Sequence, residues 1–252
     1  MSVLGQIIST TFASTASPPT YDPYYANVSL LLHADGTNGS TSFPDNSPTP
    51  KTVTANGNAA VSTTQWKFGG ASAYFDGNGD YLDIAANQDF NFGTGDFTVE
   101  FWLYSSSAPT QSPYRRIIAH PSSTNAPNTF QIWQAGDNSP GPVVDSVGLA
   151  LPDGAGTLVS TNTAVTPLGW CHIAFTRQSG TTRCFLNGVL KQSADDTTSY
   201  TLGQTQGFRI ASRGDLNANS FYNGYIDDLR ITKGVARYTA NFTPPTQTFP
   251  DQ

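Results

Sequence analysis

"GDFTVEFWLYS" (95–105) alternates without a break. Phe97, Val99, Phe101 and Leu103 fall on one side; Thr98, Glu100, Trp102 and Tyr104 fall on the other. A period of two in a β-branched and aromatic stretch specifies a strand with one face turned to a core. Similar short segments flank it: "VSLLLHADG" stopped by Asp35-Gly36, "SAYFDGNGDYLDI" turning at Asn78-Gly79, then "RRIIAH", "TFQIWQ", "VGLAL", "CHIAFTR", "TRCFLNGVL", "GFRIAS" and "YIDDLRIT". Gly, Asn, Asp and Pro turns separate them, and no long amphipathic helix intervenes. Many short strands of this kind make an antiparallel sandwich or barrel.

The chain has 252 residues, a length that suits one all-β domain. Residues 1–26 lack periodicity and end in "SPPTYDPYY", so they read as an extended N-terminal arm, with 27–243 as the domain and 244–252 as a tail. "MSVLGQIISTTFASTASPP" has no basic start, and its apolar run is broken by Gly5, Gln6 and Ser9; a partner-bound arm is the better reading than a secretory signal. Only 12% of residues are charged, so hydroxyls and amides solvate the surface, as in many exported proteins and sugar binders. The net charge of −6 and the absence of a basic stripe argue against nucleic acid. No apolar run is long enough to span a bilayer.

In "WCHIAFTRQSGTTRCFLNG" (170–188) a hairpin turning near Ser179-Gly180 sets Cys184 opposite Phe175. Cys171 then lies four residues further along, roughly 13 Å away, too far for a disulfide.

Five segments in order, "LLLHADGTNGSTSFPDNS", "ASAYFDGNGDYLDI", "GDFTVEFWLY", "GWCHIAFTRQSGTTRCFLNGVL" and "NGYIDDLRITKGVARYT", resemble the laminin-G-like, concanavalin A-like jelly-roll family. The resemblance implies two antiparallel sheets packed face to face. "IDDLRITKGVARYTANFTPPT" (226–246) is also similar to modules of phage and marine viral structural proteins. That context implies a virion location, with partners reached through residues 1–26, and a homo-oligomer as one possible state.

Asp227 and Asp228 interrupt the last strand. Adjacent strand residues point to opposite faces, so the two cannot flank one glycosidic bond as a hydrolase pair must. The family implies structural calcium, Ca2+, held by Asp227, Asp35 and carbonyls near Gly79. The alternative is turn capping by Asp227 and a surface ion pair of Asp228 with Arg230, worth little.

Glycoside hydrolases of this architecture place several acids on one strand face, whereas "FTVEFWLYS" (97–105) offers only Glu100. No nucleophile elbow, zinc helix or phosphate loop occurs near His33, His120 or His172, so no enzyme is expected. The candidate ligand-binding residues for a glycan are Glu100, Trp102 and Tyr104 on one face, with Tyr114 and Trp133 near loops. Trp66 and Trp170 read as packing residues, and the long loop 134–146 as a rim. The expectation is a non-enzymatic structural or decoration module able to bind carbohydrate, with a secreted lectin-like module as the alternative.

Overall fold

The computed structural model describes residues 21–106, 114–119, 130–136, 146–150, 157–165, 168–201, 207–213 and 220–252. Residues 1–20 of the expected arm, His120 and most of the loop 134–146 lie outside them.

The chain folds as an antiparallel β-sandwich. The first sheet is built from β1 (Val28–Leu32), β3 (Ala60–Ser62), β4 (Ser72–Asp76), β7 (Phe97–Ser105), β12 (Trp170–Gln178), β13 (Thr181–Leu186), β14 (Val189–Asp195) and β17 (Asn223–Lys233). Its strands run in the order β14-β13-β12-β7-β17-β4-β3, with β1 alongside β17. The second contains β2 (Val53–Asn56), β5 (Tyr81–Ile84), β8 (Tyr114–Ala119), β9 (Gln131–Ala135), β10 (Val147–Ala150), β11 (Thr157–Ser160) and β16 (Phe208–Ile210), in the order β11-β10-β9-β8-β16-β5-β2. A small pair, β6 (Asn91–Gly93) with β15 (Tyr200–Thr201), closes one end. Among the described residues no helix is long and apolar enough to cross a membrane.

The alternation in 97–105 is realised as read: Phe97, Val99, Phe101 and Leu103 are fully buried in the core between the sheets. They meet Ile118, Ile132, Leu149 and Phe208 from the opposite sheet. The hairpin is also as read, with Ser179 and Gly180 at φ 49° and 77° and Phe175 opposite Cys184. Both cysteines are free and buried. "TRCFLNGVL" is two strands, not one: Asn187 and Gly188 take φ 49° and 75°, the mirror-image turn that joins tight hairpins.

The segment from Asp22 and the C-terminal residues meet on the domain. The Asp22 amide donates to the Gln252 carbonyl at 2.9 Å, Asp22 is buried, and Phe249 packs on Val28 and Leu31. Residues 235–250 form a strap over part of the first sheet's outward face. Thr98 and Thr176 hydroxyls donate to the Val235 and Tyr238 carbonyls, both at 2.8 Å. Tyr238 and Phe242 stack at 3.5 Å, and Phe242 leans on His172 and Phe185.

Candidate functional site

The outward face of the first sheet is organised in rows across neighbouring strands, because directly paired residues share a face. The pairing sets Ala174, Glu100 and Arg230 in one row, His172, Trp102 and Asp227 in the next, and Trp170, Tyr104, Tyr225 and Tyr74 in a third. Asp76 pairs with Asn223 one step beyond.

The first row is sealed under the strap. Glu100 is 0% exposed, and Arg230 donates to its Oε1 through Nε and Nη2 at 3.0 and 2.7 Å. The Tyr238 hydroxyl donates to Oε2 at 2.8 Å. Arg237 grips Asp22 with two donors, at 2.9 and 2.7 Å, and Arg230 reaches the same carboxylate at 3.0 Å. Burial pushes the Glu100 carboxyl up, but Arg230, His172 and Arg237 together outweigh it and hold it well below the usual carboxylate range. It is a buried anion in a network that ties Asp22 and the strap to the sheet, with no surface to offer a ligand. The Asp228–Arg230 surface pair expected from alternation is therefore not formed: Arg230 is committed to Glu100 and Asp22.

In the second row Trp102 is 5% exposed. Phe68 meets its ring edge-on at 5.7 Å, and the Lys67 ammonium sits 4.0 Å from its centre. The loop carrying them is held by Asp227, whose Oδ2 accepts the Lys67 and Phe68 amides at 2.7 and 3.0 Å. Trp66, read as a packing residue, is half exposed on this loop.

Between Asp227 and Arg230 the register slips, and Asp228 adopts φ 48°. This bulge interrupts the strict alternation assumed for the two aspartates. Asp228 turns to His33 Nδ1 at 2.6 Å and accepts from the Phe249 amide at 2.8 Å and the Thr248 hydroxyl at 3.1 Å. Burial pushes Asp227 up to about 7 against its two amide donors, and the charges of Asp228 and Asp35 add to the rise. Asp35 packs against Gly69 of the same loop, where an added Cβ would strike its carboxylate. His33 and Asp35 line a cleft of about 610 Å³ together with Thr248 and Asp251, and the Thr248 hydroxyl lies 3.0 Å from His33 Nδ1.

The structure thus brings Asp35 and Asp227 together and places Gly79 elsewhere. Gly79 adjoins Gly57 and the buried Asp80, next to Asp76, which pairs with Asn223 four residues along β17 from Asp227, roughly 13 Å away. Among the described residues no three His, Cys, Asp or Glu side chains converge as a metal cluster. A buried carboxylate whose proton affinity is raised by burial and by the charges of Asp228 and Asp35 does fit a hard cation completed by carbonyl and water oxygens.

On the second sheet Tyr114 and Trp133 meet at 4.8 Å, with Arg116 over the tyrosine and bonded to Gln131. Trp133 is only 2% exposed and lies flat over Gly148, which has no side chain to displace it. Of the five expected ligand residues, Glu100, Trp102 and Trp133 are buried, whereas Tyr104 and Tyr114 reach the surface. Trp170, Tyr74 and Tyr225 were not singled out as ligand residues. Their signal was there, since each alternates with core residues, but only the strand pairing shows that they align.

The sandwich with its lectin-type topology defines an antiparallel jelly roll. The chain belongs to the concanavalin A-like lectin/glucanases superfamily, whose laminin-G-type model matches residues 76–237. No curated protein matches the chain. Among solved structures it is similar to domain 4 of AbnA, a GH43 extracellular arabinanase from Geobacillus stearothermophilus solved with arabinotriose. That match has TM-score 0.60 and 18% identity, covering 84% of this chain and 94% of that one. It is also similar to the botulinum neurotoxin serotype D binding domain (TM-score 0.61, 16% identity, 85% and 50% covered). A third match is the binding domain of Paraclostridial Mosquitocidal Protein 1 (TM-score 0.60, 12% identity, 84% and 50% covered). The chain spans about half the length of these two toxin domains.

Proposed function

We propose that this protein is a non-catalytic carbohydrate-binding module. The observation that carries the reading is the set of partly exposed aromatic rings, Tyr74, Tyr104, Tyr114 and Trp170, kept on the outward sheet faces, with amide and carboxylate side chains beside them. Such rings offer a flat apolar surface and a negative face to sugar C–H groups. The acid on the central strand, Glu100, is neutralised and roofed, so it neither donates a proton nor attacks a glycosidic bond. The arabinotriose held by the arabinanase domain of the same fold supports a glycan as the ligand class.

Calcium is part of the proposal: Asp35 and Asp227 would hold it, and it would offset the negative charge crowding Asp227 and pin the loop bearing Trp66 and Lys67. The similarity of 226–246 to phage and marine viral modules supports a virion as the setting, with residues 1–26 as the attachment.

Isothermal titration with neutral arabino-, xylo- and gluco-oligosaccharides tests the reading, paired with an assay for new reducing ends. Binding without hydrolysis is the expected result; hydrolysis, or no binding to any glycan offered, refutes it. Calcium should raise the melting temperature of the wild type and leave Asp227→Asn unmoved.

A further inference from the structure

The outward face of the first sheet changes character along the strands. Its Glu100 end lies under the strap, and the Trp102 row lies under Phe68 and Lys67. The next row escapes both covers. Trp170 pairs with Tyr104, Tyr104 with Tyr225, and Tyr225 with Tyr74. Their ring centres are 5.5, 5.6 and 4.9 Å apart in that order. Four consecutive strands, β12, β7, β17 and β4, therefore contribute one ring each, and the row spans three strand spacings, roughly 14 Å. Trp170, Tyr104 and Tyr74 are half-buried and reach solvent, whereas Tyr225, 9% exposed, is buried among them, so three of the four rings offer surface. Leu168, 68% exposed, stands near one end.

We propose that this row is the glycan-binding platform, and that its ligand is a neutral, linear oligosaccharide lying across the strands. The inference rests on the carbohydrate-binding reading above and names its site. The length of the row calls for more than one sugar ring: Trp170, Tyr104 and Tyr74 offer the partly exposed contacts, and the buried Tyr225, set at 85° to Tyr104, packs between them as support. Along its open side lie Asp76, Asn223 and Ser106, two steps along their strands from Tyr74, Tyr225 and Tyr104, where carboxylate, amide and hydroxyl groups meet sugar hydroxyls. Of the three side chains described there one is a carboxylate and none is a cation, and the chain as a whole is acidic, so uronic or sulfated chains are disfavoured.

The test uses the full chain and neutral gluco-, xylo- and arabino-oligosaccharides from one ring to six. Affinity should climb with length over the first few rings and then level off. Tyr104→Ala and Trp170→Ala should each weaken binding about tenfold, the value of one lost stacking contact, with thermal melts confirming that the fold survives. Trp170→Phe keeps a ring in the row and removes one fluorophore. It should bind near normally yet lose most of the tryptophan emission change on ligand addition. An undiminished emission change in that variant overturns the assignment. So does full affinity in the alanine variants with loss in Tyr114→Ala, an outcome that leaves the carbohydrate-binding reading intact and moves the site to the second sheet. No binding by the wild type overturns both.

Discussion

At the scale of single residues, Asp227 has the most consequential chemistry. Its carboxylate is buried, organises the loop 66–69 through two backbone amides, and is crowded by Asp228 and Asp35. With burial leading, these charges push its pKa up to about 7, whereas in the unfolded chain it titrates near about 3.9. Between those values the folded protein holds a proton that the unfolded chain has released. The stabilising contribution is thus complete below about pH 4 and is lost as pH rises through 7. Asp227→Asn keeps an oxygen for the two amides and removes the charge. In chelator the variant should melt near the wild type at acid pH and above it at pH 8, by on the order of a few kcal/mol. Parallel melting profiles from pH 4.5 to 8.5 would sink this account.

At the scale of elements, the strap explains what local sequence could and could not reveal. The faces of β7, the hairpin at Ser179-Gly180 and the unpaired thiols follow from periodicity and turn chemistry, and all were legible. Glu100 and Trp102 were equally legible as members of the non-core face. That they are not surface residues depends on segments distant in the chain: Val235 and Tyr238, more than a hundred positions later, fold back over the Glu100 row, and Phe68 and Lys67 lie over Trp102. The bulge at Asp228 was hidden for a similar reason: a non-glycine residue at φ 48° is held there by His33, Thr248 and Phe249, none of them its chain neighbours. Gly188 tests the strap. It accepts the Phe242 amide at 2.9 Å, and a Cβ there would run into the Phe242 carbonyl from a left-handed backbone conformation. Gly188→Ala should cost about 1–3 kcal/mol. Amide exchange should accelerate at Phe242 while β7 stays protected. Equal acceleration at both would mean that strap and sheet open as one unit.

At the scale of the whole molecule, the two sheets share a single main core, and among the described residues no second apolar cluster is large enough to fold alone. The thiols report on its integrity. Cys184 is fully buried in that core and Cys171 is 3% exposed beside the Leu103 carbonyl. Burial pushes the Cys171 thiol up to about 12 and raises Cys184 as well, so neither is a thiolate at neutral pH. A thiol reagent at pH 8 should label neither cysteine in the native protein. On titration with urea both should become reactive in a single transition that coincides with loss of tryptophan signal, because a shared core leaves no stable half-folded state. Reductant should leave the melting temperature unchanged. The two positions also separate modes of failure. Cys184 sits on β13, at the side of the sheet reached only through the hairpin at Ser179-Gly180, whereas Cys171 pairs directly against β7. If Cys184 reacts well before Cys171, the β13–β14 edge opens by itself, and single-core cooperativity fails at that edge.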